Sequence, residues 1–147
     1  MRWIFLALVI AASGCGSKPP AAEDFGIRVV SLPGGQKIRA EVMIRQEDME
    51  RGMMFRNSLA PDRGMLFLHS DPGKYSYWMY HCLIPLDIIW MDSEHRIQEI
   101  SANTPPCKTG LDQCPQYGGN YESWYVLELA GGMAARYGLK PGDTLDF

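Results

Sequence analysis

The sequence predicts an α+β domain built mainly on antiparallel strands, with two short helices. Three observations carry that expectation. Between residues 25 and 147, β-branched or alternating apolar runs of strand length recur, separated by turn clusters of Gly, Pro, Asn, Asp and Ser. Two short stretches, 46–54 and 132–137, have helix-forming composition instead. The span from 25 to 147 is the length of one compact domain with a real core, and it holds no internal repeat or low-complexity tract.

Each element follows in order. Residues 27–32 and 37–44 flank Pro33-Gly34-Gly35 and read as a hairpin. The helix over 46–54 places Glu47 and Asp48 in its first turn, where acids suit the helix dipole. Residues 64–69, 75–80, 86–92 and 96–101 read as strands, the last two joined by Ser93-Glu94-His95 into a second hairpin. Residues 102–120 form a long Pro- and Gly-rich loop, and loops of that length are functional or held by a crosslink. A strand over 124–129 precedes the helix over 132–137, which Gly138 closes. Lys140-Pro141-Gly142-Asp143 turns the chain into a final strand, 144–147.

Ahead of the domain, residues 1–14 carry an early Arg2 and an apolar run from Trp3 to Ala12, the pattern of an export signal. The run is shorter than the ~20 apolar residues that a membrane-spanning helix needs. Ala12-Ser13-Gly14-Cys15 resembles the bacterial lipoprotein box, so Cys15 is expected to be lipidated after cleavage, with residues 15–24 as lipidated Cys and flexible tether. That places the protein on the bacterial cell envelope. Gly16, not Asp, in the second mature position points to the outer membrane, facing the periplasm, in a Gram-negative cell. A plain secreted precursor is the alternative. Cleavage removes Arg2 from the 14 basic residues and leaves the 17 acids, a net charge of −4 without a basic patch. Nucleic acid is therefore not an expected partner.

Several blocks then resemble, in order, the family known as domain of unknown function 192: Gly52-Met53-Met54-Phe55-Arg56, Gly64-Met65-Leu66-Phe67, Trp78-Met79, Ile84-Pro85-Leu86-Asp87-Ile88, Pro105-Pro106-Cys107, Cys114-Pro115 with Tyr117, Tyr125-Val126-Leu127-Glu128-Leu129 and Gly142-Asp143. The resemblance runs from about Val42 to Phe147 and implies a small barrel-like sheet, often behind an export signal. It implies no reaction. Tyr80-His81-Cys82 departs from the polar triplet, such as Lys-Asn-Thr, that is common after Trp-Met in the family.

With Cys15 assigned to lipid, three of the 4 cysteines remain. Cys107 and Cys114 lie in one loop of an exported chain, which favours a disulfide. A metal pair is the rival, with only Cys82, His69, His81 and His95 as further ligands. That leaves Cys82 as a free thiol. On an extended strand His81 points away from it and cannot act as its base, so Cys82 reads as apolar filler before nucleophile.

Asp87 lies in a strand apolar on both faces, so its carboxylate is expected to be buried and paired. Arg56, ahead of Arg63, is the expected partner in a buried ion pair. On that reading Asp87→Asn costs less than Asp87→Ala. Asp87 is also the candidate catalytic acid if the protein is an enzyme.

The methionines, Met54, Met65 and Met79 among them, sit between Leu, Phe and Trp and read as core, although a soft copper site is the competing use. Tyr117 and Tyr121, with His81 and Cys82, are candidate binding residues at a recognition edge. No phosphate loop, dinucleotide fingerprint, Ser-His-Asp order or two-His zinc motif is present, and no cofactor is expected. The leading expectation is a non-enzymatic, lipid-anchored envelope domain that binds a small ligand or envelope protein through the loop from Cys107 to Tyr121. A copper-binding envelope protein and an enzyme centred on Asp87 are the alternatives.

Overall fold

The computed structural model describes residues 26–147; the expected signal peptide 1–14, Cys15 and tether 16–24 lie outside the described residues. Strands β1 (Ile27–Ser31) and β2 (Lys37–Met43) form the first hairpin, and helix α1 (Gln46–Arg51) follows. Strands β3 (Arg63–Gly73), β4 (Ser76–Tyr77), β5 (Leu86–Met91), β6 (Ile97–Thr104), β7 (Tyr117–Gly118) and β8 (Ser123–Ala130) come next, then helix α2 (Met133–Arg136). A short 3-10 turn, Leu111–Gln113, lies in the long loop.

Six strands make one sheet in the order β1-β2-β3-β8-β5-β6, and β4 pairs with β7 in a small separate ribbon. The α+β class and mainly antiparallel pairing are as expected, with one departure: β2 and β3 are parallel, because the connection through α1 crosses over and returns the chain in the same direction. The sheet is not closed into the expected barrel. The segment expected as a last strand makes isolated bridges instead, Ser31 to Asp146 on one edge of the sheet and Arg96 to Thr144 beside the other.

Alternation along the strands divides the core into two layers. Ile38, Ala40, Leu66, Ile89, Met91, Leu127 and Leu129 face one side, where α2 and the C-terminal segment supply Ala134, Leu139 and Leu145. Met65, Phe67, Ile88, Trp90 and Val126 face the other, covered by Met53, Met79 and Cys82. β5 is buried along its whole length because it is a central strand with cover on both faces. Among the described residues no helix is long and apolar enough to cross a membrane.

Candidate functional site

The acidic exceptions to these two layers are Asp87 and Glu128, one on each face. Asp87 shares its face with Ile89 and Met91, so it points toward α2. Its Oδ1 accepts the backbone N–H groups of Asn103 (2.6 Å) and Gly132 (3.0 Å), and its Oδ2 accepts that of Ala134 (2.6 Å). Asn103 lies at a register shift of β6 against β5, so Asp87 ties this irregularity to the first turn of α2. The expected Asp87–Arg56 ion pair is therefore corrected. Arg56 grips Glu41 with both terminal nitrogens, at 2.6 and 2.7 Å, and backbone amides take its place at Asp87.

Glu128 points to the opposite face, between Met65 of β3 and Ile88 of β5 in register. Gly64 permits this close strand approach: a Cβ there would come within 2.9 Å of the Glu128 carbonyl oxygen. The residue is 4% exposed, and its Oε2 is buried with no hydrogen-bond partner among the described residues. Burial pushes its carboxyl up to about 8, against the pull of Arg56, so it is mostly protonated at neutral pH. Glu41 neighbours Met65 in the same cross-strand row, and its bidentate bond commits the Arg56 guanidinium one strand short of Glu128.

Above Glu128 lies a cleft of about 230 Å³. Met49, Met53 and Met54 of α1 and the turn after it form one wall, and Phe67, Tyr77, Trp78 and Tyr80 form another. His69 Nε2 lies 3.1 Å from the Tyr77 hydroxyl, and the His69 ring stacks on Tyr75 at 3.5 Å. Burial lowers the His69 pKa to about 4, so its ring is neutral. It raises the Cys82 thiol to about 12, which leaves no appreciable thiolate for nucleophilic attack.

The loop expected as a recognition edge contributes one residue, Gln116, to the lining of this cleft. Cys107 and Cys114 are disulfide-bonded, with Cα atoms 5.7 Å apart, and the Cys107 N–H donates to the Met79 carbonyl at 3.0 Å. Gln116 lines the cleft and accepts from the Ser76 hydroxyl. Tyr117 is half-buried and pairs with Tyr77 across β4 and β7, while Gly118, at φ 72°, lies so close to the Trp90 ring that a side chain would collide with it. Tyr121 is exposed, outside the cleft lining. The run 78–82 is not extended: it turns, with His81 at φ 53° stacked on Phe55 at 4.7 Å, which carries His81 off the cleft and leaves Cys82 in its lining. Among the described residues no group of three or more His, Cys, Asp or Glu side chains is placed to hold a metal ion.

Glu128 was legible only by the reasoning applied to Asp87. It is an acid within the apolar run of β8, on the face of Val126, in the block Tyr125-Val126-Leu127-Glu128-Leu129.

Fold and site together define an α+β domain on one six-stranded sheet and a small ribbon, with an acid- and aromatic-lined cleft on one face. The family model described as DUF192, Uncharacterized ACR, matches residues 29–147, and the chain belongs to this family. It is similar to a protein of unknown function from Novosphingobium aromaticivorans, with 33% identity, 82% of this chain and 85% of that chain covered, and a TM-score of 0.75. It is also similar to a protein from Sinorhizobium meliloti described as a candidate transcription regulator, with 29% identity, 80% and 89% covered, and a TM-score of 0.71. No curated protein matches.

Proposed function

We propose that this chain is a non-enzymatic, lipid-anchored envelope module that binds a small ligand in the Glu128 cleft. One observation carries the reading: Glu128 lines an open cleft, and one oxygen of its carboxyl is buried without a hydrogen-bond partner. Leaving such a group unbonded costs ~1 to 3 kcal/mol, which a ligand that supplies the missing bond recovers. Apolar walls with few convergent polar groups are the common form of a small-molecule site. The export signal and Cys15 support the tether. The regulator described for the Sinorhizobium relative is not carried over, since a net charge of −3 opposes phosphate binding.

Amide chemical-shift mapping with a library of small fragments tests the site. Binding should move Met53, Tyr77, Trp78 and Gln116, and Trp78→Ala should weaken it. Shifts confined to other surfaces overturn the assignment. A soft-metal reading draws on Met49, Met53, Met54 and Cys82 sharing the cleft. Copper retained through purification of untagged protein, and lost in Met53→Leu, favours it.

A further inference from the structure

The charge balance of the cleft indicates what kind of ligand it takes. The titratable and charged groups that face Glu128 or share its cleft are Arg56, Tyr77, Cys82 and His69, with Glu50, Arg51, Tyr75 and Tyr80 also in the lining. Arg56 is committed to Glu41 by two short hydrogen bonds and makes none to Glu128, so its pull offsets an ionised Glu128 only in part. Glu50 and Arg51 are exposed and opposite in sign, adding no net charge. Tyr77 and Cys82 are uncharged when protonated, and His69 is a neutral ring bonded to Tyr77. The lining also carries the rings of Phe67, Tyr77, Trp78 and Tyr80. Aromatic faces attract cations, and they do so most strongly where water is excluded.

On the reading that this cleft binds a ligand, we infer that the ligand presents a primary alkylammonium group, which donates to the Glu128 carboxylate while its alkyl chain lies against the aromatic and methionine walls. An ammonium has donors to offer, whereas a carboxylate or phosphate would face the acid at close range. The ammonium ion also compensates the buried carboxylate, which Arg56 does only in part. On binding, Glu128 releases its proton to solvent and the ligand keeps its own. A cavity of about 230 Å³ limits the inserted part to a short chain. A free amine and a lysine side chain share this chemistry.

Four probes titrated by NMR test the inference: n-butylammonium, Nα-acetyl-lysine amide, n-pentanol and pentanoate. The expected result is that n-butylammonium binds more tightly than the alcohol, and that pentanoate does not bind. The affinity of n-butylammonium should rise between pH 6 and pH 8, as Glu128 loses its proton more readily, and level off above. Neither His69, at about 4, nor Cys82, at about 12, titrates in that window. Glu128→Gln should weaken the amine by about tenfold or more and abolish the pH dependence, while n-pentanol still binds. Retained alcohol binding at the same residues shows that the variant keeps its cleft. If the lysine probe matches the free amine, the source is a protein side chain; if only the free amine binds, it is a small molecule. If n-pentanol binds as well as the amine, or amine affinity falls as pH rises, the cation inference is overturned while the binding site stands. If no probe binds at the cleft, both fall.

Discussion

Replacing Asp87 with Asn separates the observed role of this acid from an ion pair. An Asn oxygen can accept from Asn103 and Gly132 as Oδ1 does, but its amide nitrogen then faces the Ala134 N–H, which donates to Oδ2 in the native chain. Two donors oppose each other, and flipping the amide leaves Asn103 and Gly132 facing a donor instead. Hydrogen bonds to a charged acceptor contribute ~1.5 to 3 kcal/mol each, and a buried N–H left unbonded costs ~1 to 3 kcal/mol, so Asp87→Asn should lose ~2 to 4 kcal/mol. Asp87→Ala frees all three amides. Asn103 is exposed and can bond water, whereas Ala134 is 2% exposed, so the cost should be ~3 to 5 kcal/mol, not the sum of three bonds. Asn therefore rescues little, contrary to what pairing with Arg56 would give. Thermal and urea denaturation read the loss, roughly 10 to 20 °C in Tm for a domain of this size. Arg56→Ala should cost under ~1 kcal/mol, because its pair with Glu41 is more than one-third exposed. An Asp87→Asn variant that melts within about 2 °C of the wild type would refute this account.

Four further outcomes are expected. Glu128 has a folded pKa of about 8 against an ordinary 4.5, so between those values the unfolded chain has lost a proton that the folded chain keeps; stability should fall as pH rises from 4.5 to 8 and flatten above, and Glu128→Gln should remove that slope, as Tm against pH will show. Parallel profiles for variant and wild type would exclude it. Cys82 should resist alkylation in native protein and react after denaturation, while Cys107→Ser with Cys114→Ser should lower stability by ~2 to 3 kcal/mol in urea titrations. Cys15→Ser should abolish acyl labelling and leave the precursor uncleaved, and wild-type protein without acyl chains by mass spectrometry would remove the anchor.

Local patterns made most of the fold legible. The β1–β2 and β5–β6 hairpins follow from strand runs beside turn residues, and α2 from a short stretch closed by Gly138. The parallel β2–β3 pair did not, because alternation specifies which face a residue takes but not where a crossover lands. The strand expected over 75–80 shrinks to Ser76–Tyr77: the Tyr75 carbonyl accepts from the Trp90 indole at 2.7 Å, and the chain turns at His81. Burial of Asp87 was readable from its apolar neighbours, but its partners were not, since backbone amides leave no mark in side-chain identity. The cleft joins α1, β3, β4 and β8, which are distant in sequence, so Glu128 gained its significance only from their convergence.

The protonation of Glu128 tests the central claim most directly. Carbon-13 NMR of its side-chain carboxyl, assigned through Glu128→Gln and followed against pH in the unliganded protein, reports that equilibrium without reference to any ligand. A midpoint near pH 8 is predicted for a carboxyl buried without a partner at the floor of the cleft. A midpoint near the ordinary 4.5 would mean that water or a protein group already satisfies it, and would contradict the site.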